Sequence, residues 1–463
     1  MEKFFKLKEN NTTVKTEILA GLTTFMAMAY ILMVNAGMFS ELGVVSYGAI
    51  YIATGISAIV GTVLIGLLAN LPMAQASGMG LNAFFVYSCC FAMGFTYANA
   101  LVLILIDGIV FIILSATGLK KAIFHAIPAA VRKAIPAGIG LFIAFIGLQN
   151  AGIVVADPST GVNLSSFNIF TGDATWAGIM PKLVTILALV AIAILAKKNV
   201  KGAILWGILG GAVAYYLLGI TVPGFYEGFS FNANPLSAFQ EFGTQAFGKV
   251  FTEGFDFSAY IEANGTAGFI AAVAATSLAF CLVDMFDTMG TLYGACARGN
   301  MLNEEGEVPN MDKAMLADAI ATTTGAICGT STVTTFVESS AGVAEGGRTG
   351  LTSLATAAFF FLALFVSPIA SLIPGVATAA ALIYVGVLMM NCVKEIDWLD
   401  PSIAVPSFLT IAVMPMTYNI SYGIAFGIIS AVLINLFTGK AKENKVGSYI
   451  VAALFIAMFL VSH

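Results

Sequence analysis

T-S-T-V-T-T-F-V-E-S-S-A-G-V-A-E-G-G-R-T-G-L-T, residues 330–352, sits among long hydrophobic runs yet carries Glu338, Glu345, Arg348, a row of hydroxyls and several glycines. Residues 332–337 are β-branched or aromatic, which favours extended backbone. Ser339-Ser340 ahead of Ala341-Gly342 predicts a cap opening a short helix. The stretch therefore reads as a membrane segment broken in its middle, strand first and half-helix after. Non-helical backbone at membrane depth is tolerated only where protein buries it or where it lines a wet cavity. Broken helices near the midplane are how many secondary transporters hold substrate. The alternative, a re-entrant loop that only packs two bundles together, leaves an intramembrane carboxylate without a use.

The surrounding composition agrees. The chain has 463 residues, 59% of them hydrophobic and 10% charged, with a mean hydropathy of +0.94. These values exclude a soluble globular domain and predict an all-α polytopic membrane protein, with short strands at the breaks. The apolar runs suit helices crossing roughly 30 Å of hydrocarbon and lack the period-2 alternation of an outer-membrane barrel. The N-terminus is charged, but no small-residue cleavage site follows, so no cleaved signal peptide is expected. The six cysteines fall in or at the ends of apolar segments without C-x-x-C spacing, as small buried hydrophobes do. The two histidines, His125 and His463, sit in a loop and at the C-terminus, which argues against a histidine proton relay.

Fourteen spans are predicted between residues 17 and 438, with residues 220–264 as the long extracytoplasmic loop dividing two halves. With the N-terminus in the cytoplasm, all but Lys182 and Lys249 of the 20 basic residues face inward. Residues 448–461 are apolar but short for a span, so a span and an interfacial helix both stay open. The halves repeat. One common offset sets Gly61 against Gly325 and Gly78 against Gly342, and P-M-A-Q-A-S-G-M-G-L-N-A at 72–83 is interrupted like the opening stretch. Seven spans per half make the repeat inverted, and paired interrupted segments point to the binding site.

Asp284 and Asp287, in F-C-L-V-D-M-F-D-T-M-G, are three apart and share a helix face. Two such carboxylates cannot both be charged cheaply inside a membrane, which suits a proton-coupled carrier. The plainer reading is an aspartate bonding backbone freed at a neighbouring break. Glu338 follows the extended part of span 10, and Asn82 ends the matching run in span 3. Together these groups present mostly acceptors and a few amides, which fits a small polar ligand rich in N–H donors. Phe84, Phe85, Phe280 and Phe286 offer planar stacking, or ordinary packing. Glu345 and Arg348 read as a local ion pair. Asp107 and Asp318 read either as inter-helix hydrogen-bond partners or as further proton sites. No Walker motif, H-E-x-x-H or dinucleotide fingerprint appears, so no cofactor, metal or enzymatic chemistry is expected.

The blocks at 21–35, G-M-G-L-N-A-F-F at 78–85, D-M-F-D-T-M-G-T-L at 284–292, P-N-M-D-K-A at 309–314 and F-V-E-S-S-A-G-V-A-E-G-G-R-T-G-L-T at 336–352 resemble the AzgA-like purine permeases of the nucleobase–ascorbate transporter superfamily. The resemblance runs over essentially the whole chain. It implies the fold of the bacterial uracil permease: seven-plus-seven inverted repeats with strands and half-helices in spans 3 and 10. Core units at residues 17–119 and 265–373 and gate units at 120–219 and 374–463 would flank the 220–264 loop. It further implies proton symport of guanine, hypoxanthine or adenine across the inner membrane, without a cofactor or nucleic-acid partner, and with dimers known in the superfamily. Carried over, Glu338 holds the base, with Asp284, Asn82, Ser339, Ser340, Gly80, Phe84 and Phe280 around it. Asp284 and Asp287 share the proton. Carboxylates facing the N1–H of guanine and hypoxanthine favour these over adenine.

Overall fold

The computed structural model describes residues 2–117, 127–170, 172–226 and 234–461. His125, Lys120, Lys121 and His463, on which part of the sequence reading rests, lie outside them. The chain forms the spans in order: 1 (Val14–Ser40), 2 (Tyr47–Leu68), 3 (strand Gln75–Ser77, then helix Met79–Ala92), 4 (Tyr97–Thr117), 5 (Ala129–Asn150), 6 (Trp176–Lys197) and 7 (Ala203–Gly219). The second half follows as 8 (Ser258–Arg298), 9 (Met311–Cys328), 10 (strand Val333–Thr335, then helix Ser339–Ala344), 11 (Gly350–Leu364), 12 (Gly375–Met389), 13 (Pro401–Thr417) and 14 (Ile420–Phe437). A further helix, Val446–Val461, packs on spans 14 and 8.

Local chemistry sets the helix ends. Side chains of Thr13, Ser46, Thr175, Asp400 and Asn419 accept from the free N–H groups opening spans 1, 2, 6, 13 and 14. The long helix of span 8 breaks at Gly265, whose φ of 73° is open to glycine. The 220–264 stretch is largely helical where described, and it packs against the N-terminal ends of spans 2 and 4. Glu241 Oε2 accepts from the Ser46 hydroxyl at 2.6 Å, and Asn99 Nδ2 donates to the Gly254 carbonyl at 2.8 Å.

The helices pack as two sets. Spans 1–4 and 8–11 interlock around the two strands, and spans 5–7 and 12–14 form the second set beside them. Spans 5 and 12 meet backbone to backbone at Gly140 and Gly386, where an added Cβ on either would strike the other's carbonyl oxygen.

The strands of spans 3 and 10 pair antiparallel, with Gln75 opposite Thr335, Ala76 opposite Thr334 and Ser77 opposite Val333. The repeat register differs from the one read from the glycines. Gly78 precedes the short helix of span 3, whereas Gly342 lies within that of span 10. The better equivalence is polar. Thr62 of span 2 accepts from Gln75 N at 2.9 Å, and Thr322 of span 9 accepts from Val333 N at 3.2 Å. Each hydroxyl also lies 3.1 Å from the carbonyl oxygen of the same strand residue.

Candidate functional site

The strand pair is short because only three residues on each side run extended before a helix restarts. Further bonds, Gly78 N to Thr332 O and Phe336 N to Ala74 O, both 3.0 Å, carry the pairing to the half-helices. Beside this joint a narrow pocket opens between the two helix sets. Gly80, Leu81, Val283, Phe286 and Asp287 line it from one set, and Ile135, Pro136, Ile139 and Met389 from the other. Its volume, about 20 Å³, is room for one water. A planar base would need the sets to part.

Asp287 lies on this pocket, half-buried, and within electrostatic reach of Glu338 and Tyr30. Glu338 is also half-buried, and its Oε1 accepts from the Tyr30 hydroxyl at 2.7 Å. Tyr30 stands where span 1 restarts after the interruption at Ala29. The sequence reading missed it as a site residue, although it sits in the 21–35 block. Asp284 shares the helix face of Asp287 but lies deeper. It is fully buried, with Oδ2 2.9 Å from the Thr322 hydroxyl, and it does not line the pocket.

The other expected residues divide. Gly80 lines the pocket, and a Cβ there would lie 2.3 Å from Ile139 Cγ2. Asn82 is fully buried; its Nδ2 donates to the Ser77 carbonyl at 3.3 Å and its Oδ1 has no partner. Ser339 accepts from Ala74 N at 3.0 Å, and Ser340 accepts from Arg298 Nη1 at 3.3 Å. Neither serine caps the half-helix, whose N-cap position is Glu338. Phe84 and Phe280 pack on each other with tilted rings, centroids 4.6 Å apart, in the core and not in the pocket lining, while Phe286 is the ring at the pocket.

Glu345 and Arg348 do not form the expected ion pair. Glu345 pairs with Lys201, in the turn just before span 7, at 2.7 Å, joining the two helix sets at one face. Arg348 Nη1 donates to the carbonyls of Val343 and Gly347 at 2.6 and 2.8 Å, closing the end of the half-helix. At the opposite face, Asn150 of span 5 donates to Glu41 Oε1 and to the Tyr87 hydroxyl, both at 3.0 Å.

Residues 15–426 match the family model Xan_ur_permease, described as the Permease family. The chain belongs to this nucleobase–ascorbate transporter family. As a permease it is a multi-pass membrane transporter and not an enzyme. It is 40% identical over 469 residues to the guanine/hypoxanthine permease PbuO of Bacillus subtilis (strain 168), covering 99% of this chain and 100% of the relative. The adenine permease AdeP of Escherichia coli (strain K12) is 36% identical, over 98% of this chain and 95% of AdeP. Among solved structures, the transmembrane domain of a cyanobacterium bicarbonate transporter, BicA, matches with a TM-score of 0.58 at 14% identity, covering 90% of this permease and 97% of that chain. Murine Solute Carrier 26 family member A9 in its inward-facing state matches with a TM-score of 0.60 at 12% identity, covering 91% and 68%. At such identities the likeness is one of fold, the seven-plus-seven inverted repeat.

Proposed function

We propose that this permease imports purine bases, guanine and hypoxanthine first, together with protons across the inner membrane, with its N-terminus in the cytoplasm. The observation that carries the reading is the placement of Asp287 on a pocket walled by both helix sets, with Glu338 within electrostatic reach of it. Relatives named for guanine/hypoxanthine and for adenine point to the purine ring.

Spans 1–4 and 8–11 act as the core and spans 5–7 and 12–14 as the gate. Glu338, held toward the joint by Tyr30, accepts from the N1–H edge of the base, which guanine and hypoxanthine present and adenine does not. Phe286 stacks on the ring, and Asn82 and the two serines keep the strand and half-helix in place beneath it. Asp287 and Asp284 carry the proton, and the energy comes from the proton gradient alone. Movement of the core against the gate exposes the pocket first to one side and then to the other.

The test is uptake of labelled hypoxanthine into liposomes holding the purified protein, with and without an inward proton gradient, in competition with guanine, adenine and uracil. Gradient-driven uptake blocked by guanine and not by adenine is expected. Block by adenine moves the preference to the adenine branch, and uptake indifferent to the gradient rules out symport.

A further inference from the structure

Most buried polar side chains around the strand joint have a partner, and Asp107 is a buried acid that the transport scheme leaves unused. It sits midway along span 4, fully buried, and among the described residues its carboxyl oxygens have no hydrogen-bond partner beyond the weak donor of the Cys281 thiol beside it. A buried carboxyl so weakly held is costly when neutral and far more so when charged. A merely structural position would be filled better by leucine.

Its neighbours are acids and a thiol. Asp284 and Cys281 of span 8 lie beside it, and Asp318 of span 9 is within electrostatic reach. Asp284 Oδ1 and Asp318 Oδ2 also lack partners. Among the described residues no cation neutralises the group. Arg298 and Lys313, on spans 8 and 9, are exposed at helix ends, and Lys249, on the short helix against the outer end of span 4, pairs with Glu253. Among the described residues no cluster of His, Cys, Asp and Glu could hold a metal ion. The unpartnered atoms of these three acids are all oxygens, and protons are what would satisfy them.

Asp318 differs from Asp107. Its Oδ1 accepts from Gln75 Nε2 at 2.9 Å, the Thr288 hydroxyl at 2.8 Å and the Thr335 hydroxyl at 3.4 Å, so it ties the strand joint to spans 8 and 9. The two acids that sequence alone leaves equivalent therefore separate into a hydrogen-bond hub and an acid with at most a thiol to hold.

We propose that Asp107 is a proton-holding residue of the transport cycle, exchanging its proton with Asp284 behind the substrate pocket. The O–H bond on Asp107 breaks as one forms on Asp284 Oδ1, and Asp287, one helical turn on, passes the proton to the pocket. This inference rests on the symport reading above.

The test compares wild-type protein and Asp107→Asn in liposomes, by two assays. Base-for-base exchange, which needs no net proton movement, is expected to persist in the variant. Gradient-driven accumulation is expected to fall to an inside-to-outside ratio of about one, the limit for an uncoupled carrier. Accumulation at the wild-type level overturns the proposal, and so does loss of exchange and accumulation together, the signature of a structural carboxyl. If the wild-type protein ignores the gradient, the symport reading itself falls, which the same assay reports before any variant is made. Because the variant can fail to reach the membrane, infrared difference spectra of the wild-type protein give a second readout. A protonated carboxyl with no partner stronger than a thiol absorbs at higher frequency than one bonded to hydroxyls or amides; a band there that changes on base binding is expected, and its absence overturns the assignment.

Discussion

Glu17 is the residue whose role the sequence hid most completely. It lies one turn into span 1, fully buried. Its carboxylate accepts from Arg348 N at 3.0 Å, from the Thr349 hydroxyl at 2.9 Å, and from Thr352 N and its hydroxyl at 3.1 and 2.6 Å. These donors open span 11, so a carboxylate from the first span satisfies the N-terminus of a helix more than 300 positions away. Hydrogen bonds to a charged group are each worth about 1.5–3 kcal/mol. Glu17→Gln keeps the shape but turns one of the two acceptor oxygens into an NH2 that faces donors. The thermal midpoint of the purified protein should fall, with Glu17→Ala falling further; an unchanged midpoint would mean the carboxylate is not anchoring span 11.

At the scale of elements, the strand pair is the unusual object. Two three-residue strands leave outer edges that lipid cannot satisfy, and each edge is met by a threonine of the neighbouring helix, Thr62 for Gln75 and Thr322 for Val333. Propensity explains only one strand. Val333-Thr334-Thr335 is β-branched, while Gln75-Ala76-Ser77 is extended because its partner and Thr62 hold it so. Replacing either threonine by valine keeps the volume and strands a backbone pair, at a cost of about 1–3 kcal/mol. Both variants should melt earlier by similar amounts. Thr322→Val should also reduce gradient-driven uptake more than Thr62→Val, because Thr322 alone touches Asp284. Equal transport in the two variants would separate Asp284 from the coupling.

At the scale of the whole molecule, the two helix sets meet tightly. The pocket holds about one water, Lys201–Glu345 links the sets at one face, and Asn150 with Glu41 and Tyr87 links them at the other. Gly80 is where the surfaces come closest to a β-branched side chain, and Ile139 has little rotamer freedom with which to retreat. Gly80→Ala should wedge the sets apart. Overpacking of this kind costs about 1–3 kcal/mol, which disfavours the closed form about 5- to 150-fold. Amide hydrogen exchange around Ile139 and Met389 should quicken and base turnover should fall. Exchange and turnover at wild-type rates would mean that the surfaces do not close on each other during the cycle.

What the sequence determined by itself followed from solvent and local backbone. Long apolar runs require a membrane, and glycines, hydroxyls and β-branched residues inside two of those runs require broken helices, because these signals act within a few residues of themselves. The acids of span 8 and Glu338 were legible as candidates for the same reason, since a carboxylate in an apolar run stands out wherever the run is later placed. Which groups meet was decided only by the tertiary structure. Glu345 chose Lys201 over Arg348, Ser339 went to Ala74 and not to the helix end, and Asp284 and Asp287 were set at different depths. Tyr30 reached Glu338, and Glu17 reached span 11, across the full length of the repeat. A side chain's partner depends on where a distant helix packs, and spacing along one helix carries no record of that.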